Sequence, residues 1–126
     1  MKRVISSKAA PPAVGPYSQA ILINGFLFTS GQLPADNAGN LIINDIAAAT
    51  RRSLENVQSI LQAAGGNMDQ IVKVTIFLTD MKDFAVVNGV YTEFFSGEPP
   101  ARSCVAVAAL PKGAKIEVEA IAYLGG

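Results

Sequence analysis

The chain has no histidine, no tryptophan and a single cysteine among its 126 residues, and only 16% of them are charged. Each shortage excludes something. Without imidazole there is no Ser-His-Asp or Cys-His relay, no zinc centre built on histidine, and no histidine acid–base step at neutral pH. A lone cysteine, Cys104, rules out an internal disulfide and a cysteine-rich metal site. No apolar run is long enough to span a bilayer, and the N-terminal segment lacks the apolar core of a secretory signal. A cytoplasmic location is therefore expected. Any catalysis falls to carboxylates, arginine, lysine, tyrosine, the thiol or the backbone.

Soluble domains usually carry about 25% charged residues, so this surface is short of charge for a monomer. Half the residues are hydrophobic. Some apolar face is expected to be hidden against another copy of the chain, as in a closed oligomer. Ten basic and ten acidic residues cancel, and basic neighbours occur only at Lys2-Arg3 and Arg51-Arg52. That lack of a basic stripe argues against nucleic acid as a partner. The length fits one domain over residues 1–126.

Val4 to Ser6 reads as a short strand, followed by an Ala- and Pro-rich loop through Pro16. Asn24-Gly25 supplies the two positive-φ positions of a type I′ turn, which makes Ala20 to Phe28 a hairpin. Leu54, Val57, Leu61 and Ala64 then recur at helical spacing, with Asn44 or Asp45 as cap and Gly65-Gly66 as stop. Ile71 to Leu78 is β-branched and apolar, hence a largely buried strand. Asp80 is expected to cap a second helix with Phe84, Val87, Tyr91 and Phe94 on its inner face, stopped by Ser96-Gly97 followed by Pro99-Pro100. Strands near Arg102–Val107 and Ile116–Tyr123 complete the order β-β-β-α-β-α-β-β. Two amphipathic helices cover one face of such a sheet and leave the other open.

The chemistry-bearing residues concentrate in the last two strands. Period two puts Arg102, Cys104 and Ala106 on one face, and Glu117, Glu119 and Ile121 on one face of their own strand. The small apolar set Ile116, Val118, Ala120 and Ala122 belongs beneath the helices. Matching polar with polar places Arg102 and Cys104 beside Glu117 on the open face. An arginine and a glutamate from neighbouring strands suit a small anionic substrate attacked by water, and suit a structural ion pair equally well. By pattern alone Glu117 is a solvated residue, Cys104 a small buried apolar one, Tyr17 a half-packed loop aromatic and Asn88 a solvent-facing amide. Ser30-Gly31 ends a strand, and a backbone N–H beside that glycine could hold an anion.

Gly15-Pro16-Tyr17-Ser18-Gln19-Ala20, Thr29-Ser30-Gly31-Gln32-Leu33-Pro34, Pro100-Ala101-Arg102-Ser103-Cys104-Val105 and Ile116-Glu117-Val118-Glu119-Ala120-Ile121-Ala122 resemble, in order, the successive motifs of the RidA (YjgF) family of reactive enamine/imine deaminases. Asp83-Phe84-Ala85-Val86-Val87-Asn88 resembles that family's second helix. The resemblance implies a chorismate-mutase-like α+β fold, a mixed sheet with two helices on one face. It implies homotrimers whose sheets face inward, with a pocket in each cleft between subunits.

It also implies hydrolysis of 2-imino acids such as 2-iminobutanoate and 2-iminopropanoate to 2-oxo acids and ammonia, which protects pyridoxal-phosphate enzymes. No metal or organic cofactor is implied. Arg102 would grip the substrate carboxylate, Glu117 would handle the water, and Tyr17, Ser30, Gly31, Asn88 and Cys104 would line the pocket. This requires the Arg102 and Glu117 side chains on one side of the sheet, with a cavity beside them. Two rival classes are an endoribonuclease or translation inhibitor, which would bind RNA, and a regulator that binds a small ligand without turnover.

Overall fold

The computed structural model describes residues 1–125. Its strands are β1 (Arg3–Ile5), β2 (Ala20–Ile23), β3 (Phe26–Thr29), β4 (Ile71–Leu78), β5 (Ala101–Ala106) and β6 (Ile116–Tyr123); its helices are α1 (Ile46–Ala63) and α2 (Phe84–Thr92). The strands form one sheet in the order β1-β2-β3-β6-β4-β5. Among the described residues only β4 and β5 pair in parallel, and α2 supplies the crossover that a parallel pair needs. The expected mixed α+β fold is what forms.

Alternation along each strand makes the two faces. Val74, Ile76 and Leu78 of β4 lie opposite Ala120, Val118 and Ile116 of β6, and all six are buried. They join Leu54, Val57, Ile60 and Leu61 of α1 and Val87 and Tyr91 of α2 in one core. The β2–β3 hairpin turns at Asn24 (φ 50°) and Gly25 (φ 82°), both in the left-handed region that a type I′ turn demands.

The opposite face is uncovered. One register row runs Val4–Ile21–Phe28–Ile121, and the next pairs Ile23 with Phe26 and Phe26 with Tyr123. Phe26 and Tyr123 pack with tilted rings whose centroids lie 4.8 Å apart, yet both are about half exposed, as are Val4, Phe28 and Val105. A large apolar patch of this kind marks an interaction surface. The shortage of charge in the sequence therefore has a location.

Three local expectations change. The first strand starts one residue earlier than Val4–Ser6, because its register is set by pairing with Ala20–Leu22. β4 is buried on one face only, with Lys73, Thr75 and Phe77 half-buried on the other. Asp80 caps a 3-10 turn, Met81–Asp83, by accepting the Lys82 N–H at 3.0 Å, and α2 follows on from that turn.

The cap of α1 is as the sequence suggests: the Asp45 carboxylate accepts the Ala48 N–H at 3.0 Å. Asp45→Ala orphans that donor and is expected to destabilise the fold by about 1 kcal/mol. A urea melt reads this as a lower midpoint with an unchanged slope.

Candidate active site

The first cleft is built by an irregularity between β3 and β6. Their pairing stops at Phe28↔Ile121 and resumes as an isolated bridge at Gln32↔Val118. Residues 28 to 32 take four steps where 121 to 118 take three, so the β3 side carries one extra residue. The Thr29 hydroxyl fills the gap in the ladder by accepting the Ala120 N–H at 3.0 Å. Ser30 and Gly31 sit in this bulge. The Gly31 backbone lies against Glu117 so closely that a Cβ there would stand 2.5 Å from Glu117 Oε2. Glycine is required here for approach, not for backbone angle.

Glu117, Gly31, Tyr17, Gln32, Lys112 and Pro12 are among the walls of a cleft of about 640 Å³. Burial pushes the Glu117 pKa up, and Glu119 on the same face raises it further by repulsion. The loops around the cleft are tied down by buried polar side chains. Gln19 accepts the Ser7 N–H at 2.6 Å and donates to the Pro11 carbonyl at 2.7 Å. Asn56 donates to the Leu33 and Ala35 carbonyls at 3.1 and 2.8 Å, and Arg52 to those of Ala35 and Ala9 at 3.0 and 2.8 Å. The Ser30 hydroxyl is committed to the Ser18 carbonyl at 2.6 Å. Tyr17 stands at the rim, 51% exposed.

The second cleft, about 530 Å³, is walled by Asn88, Tyr91, Phe95, Pro100 and Arg102, among others. Arg102 Nη1 donates to Asn88 Oδ1 at 2.7 Å. The guanidinium carbon lies 4.8 Å from the Tyr91 ring centroid and 5.4 Å from that of Phe84. Phe84, Asn88 and Tyr91, four and three residues apart, share one face of α2. Among the described residues the ion pairs are Arg51–Glu93 and Lys82–Asp80, so no acid neutralises Arg102. Cys104 follows on the same side of β5. Burial raises its pKa while Arg102 pulls the other way, which leaves a protonated thiol at neutral pH.

The registers overturn the expected pairing of Arg102 and Cys104 with Glu117 on one open face. In β4, Val74 and Ile76 lie beside Arg102 and Cys104, whereas Phe77 lies beside Glu117. Arg102 and Cys104 therefore face the helix side, and Glu117 faces the open side. The strands that carry them flank β4, about 10 Å apart, and their side chains diverge. Polar matching failed because β5 is an edge strand. Its helix-side face meets the aromatic and amide flank of α2 rather than the aliphatic core, so a cation is accommodated there. Ser103 takes the open side, where Lys73 Nζ donates to its hydroxyl at 2.9 Å.

One chain thus gathers Tyr17, Ser30, Gly31 and Glu117 in one cleft, and Asn88 and Arg102, with Cys104 alongside, at another. Sequence reasoning missed Tyr91 and Phe84 as partners of Arg102 by assigning both to the core. The 84/88/91 spacing, which puts two rings and an amide on one helix face, was the available signal. Lys112 was missed as well; it lines the Glu117 cleft from a left-handed loop position (φ 59°).

Among the described residues no group of three or more His, Cys, Asp or Glu side chains is placed to hold a metal ion, and no helix is long and apolar enough to cross a membrane. A half-covered sheet with an unpaired arginine in one cleft and a desolvated carboxylate in another defines a small-molecule-binding domain. Comparison with known proteins agrees. Residues 7–124 match the family model described as Endoribonuclease L-PSP. A 2-iminobutanoate/2-iminopropanoate deaminase of Salmonella typhimurium is 47% identical over 125 residues, covering 97% of this chain and 98% of that one. A solved structure of the Rid family protein YyfA from Yersinia pestis superposes with a TM-score of 0.95 at 50% identity, over 98% of this chain and 99% of that one. The structure of E. coli TdcF with bound serine gives 0.92 at 45% identity, over 96% and 98%. The chain belongs to this family, the RidA (YjgF) family that its motifs resemble.

The raised pKa of Glu117 makes a stability prediction. The unfolded chain ionises first as pH rises, near the usual glutamate value of about 4.3. Below that value neutral Glu117 contributes fully to the fold, and the contribution is lost as pH rises through the higher folded value. Glu117→Gln cannot ionise. Its unfolding midpoint is expected to exceed that of the wild type at pH 7, with the gap closing below about pH 4.

Proposed function

We propose that this protein hydrolyses small 2-imino acids to 2-oxo acids and ammonia, in a site assembled from two copies of the chain. The observation that carries this reading is Arg102: a guanidinium held in a cleft by an amide oxygen and two aromatic faces, with no acid among the described residues to neutralise it. Such a group is poised for a ligand carboxylate, which it binds through two parallel N–H donors. The Salmonella relative named as an imine deaminase, and the serine bound to TdcF, point to the same ligand class.

Within one chain Arg102 and Glu117 stand on opposite sides of the sheet, so the one-sided arrangement required of them is not met and a single-chain site is ruled out. The site becomes complete when the Glu117 cleft of one copy meets the Arg102 cleft of another. The exposed apolar face of Val4, Phe26, Phe28, Val105 and Tyr123 supports such association. A cyclic homotrimer with three equivalent clefts is the assembly that the family resemblance implies.

The chemistry then follows from named groups. Arg102 fixes the carboxylate of the protonated imine, which places the adjacent C=N carbon beside one water. Glu117, ionised but desolvated, accepts a proton as that water adds to the carbon and forms the carbinolamine. Glu117 returns that proton to the nitrogen; its freed carboxylate then takes the hydroxyl proton as the C=O forms and the C–N bond breaks with its electron pair going to nitrogen, which releases ammonia and the 2-oxo acid. The Gly31 backbone lies close against the Glu117 carboxylate, and Tyr17 forms the rim. Cys104, kept as a thiol, shapes the Arg102 cleft without attacking the substrate.

An RNA-cleaving function is less well supported, because ten positive and ten negative charges leave no net field for a polyanion. The deaminase reading is tested by trapping enzymatically generated 2-iminobutanoate with semicarbazide. Wild type is expected to shorten the imine lifetime. Arg102→Ala, and Arg102→Lys because an ammonium lacks the planar fork, are expected to lose on the order of a hundredfold in rate with the fold intact. Wild-type rates in Arg102→Ala would refute the assignment, and a wild type that leaves the lifetime unchanged would mark a binder rather than an enzyme.

A further inference from the structure

We propose that Tyr91 is a positioning residue for Arg102: its ring face sets the plane of the guanidinium and leaves the outward N–H donors free for a carboxylate. For its effect on turnover the inference rests on the deaminase reading; the contact itself does not.

Arginine has five N–H donors and no acceptor, and a long side chain that is costly to immobilise. A carboxylate partner would hold it, but would occupy the two parallel donors that a substrate needs. Asn88 holds it at the expense of one donor, Nη1. An aromatic face holds it at the expense of none, since the attraction is between the cation and the ring quadrupole.

Of the two rings beneath Arg102, Tyr91 is the nearer and the more firmly fixed. Its centroid is 4.8 Å from the guanidinium carbon against 5.4 Å for Phe84. Tyr91 is only 5% exposed, belongs to the main core and packs on Phe95 at 4.8 Å, whereas Phe84 is partly open. The platform is thus anchored in the core while the cation it carries faces the cleft.

The tyrosine hydroxyl supplies a control. It is buried and has no hydrogen-bond partner among the described residues, so the ring rather than the oxygen accounts for the contact. Removing an unpartnered buried hydroxyl is neutral or favourable. Tyr91→Phe keeps the platform, and Tyr91→Leu removes it while filling much of the space.

Two readouts separate positioning from mere packing. The first is the backbone-independent order of the Arg102 Nε–H group by NMR relaxation, in protein without substrate. It is expected to be rigid in wild type and Tyr91→Phe, and to loosen in Tyr91→Leu. The second is the kinetic split: KM for the imino acid is expected to rise about three- to thirtyfold in Tyr91→Leu, the range of a cation–π contact, with kcat changed less. Circular dichroism and the unfolding midpoint check that each variant is folded.

A wild-type order parameter below about 0.6 at Arg102 Nε overturns the proposal without any variant, even if Tyr91→Leu fails to fold. So does a folded Tyr91→Leu with wild-type order and KM, or a Tyr91→Phe as impaired as Tyr91→Leu. If wild type shows no turnover at all, the deaminase reading fails, while the NMR result still decides the role of Tyr91.

Discussion

A pleated strand sends successive side chains to opposite faces, and that parity governs how this molecule can work. Arg102 and Cys104 share the parity of Val74 and Ile76, which face the helices. Glu117 shares that of Phe77, which faces away from them. No rotamer change carries a side chain through a hydrogen-bonded sheet. Whatever uses both groups at once must draw them from different copies of the chain.

Several otherwise separate features fit this constraint. The open face is aromatic and aliphatic where a monomer would place charge, with Phe26, Phe28 and Tyr123 in contact and still exposed. The Glu117 cleft is walled by loops that Gln19, Asn56 and Arg52 tie down with buried and half-buried hydrogen bonds, so it is formed within a single chain. The Arg102 cleft is held just as firmly by one face of α2. One cleft carries a cation and the other a carboxylate, and neither neutralises the other within a chain.

Much of the fold was legible in the sequence. Period-two and helical patterns placed the strands and α1 to within a residue or two, because burial on one face dictates those patterns, whereas α2 starts three residues later than an Asp80 cap implies because a 3-10 turn intervenes. Asn24-Gly25 and Asp45 act through local backbone geometry and were equally readable. The motifs named candidate residues, and the structure gathers them at two clefts, an arrangement the motifs did not reveal. β5 is an edge strand with small side chains at Ser103, Cys104 and Ala106, and its alternation does not say which parity faces the helices. That depends on its parallel pairing with β4, a contact between residues 28 apart in sequence such as Val74 and Arg102. The bulge that brings Gly31 onto Glu117, and the aromatic seat beneath Arg102, are tertiary contacts without a local signature.

The central claim is that arginine and glutamate meet across a boundary between copies. It is tested most directly by mixing two variants that are inactive alone, Arg102→Ala and Glu117→Gln, under conditions where subunits exchange. A copy that retains Glu117 then borders a copy that retains Arg102. Random mixing in a closed ring restores roughly a quarter of the wild-type activity per site. Recovery near that level is the predicted result; a mixture that exchanges fully and stays inactive contradicts the account.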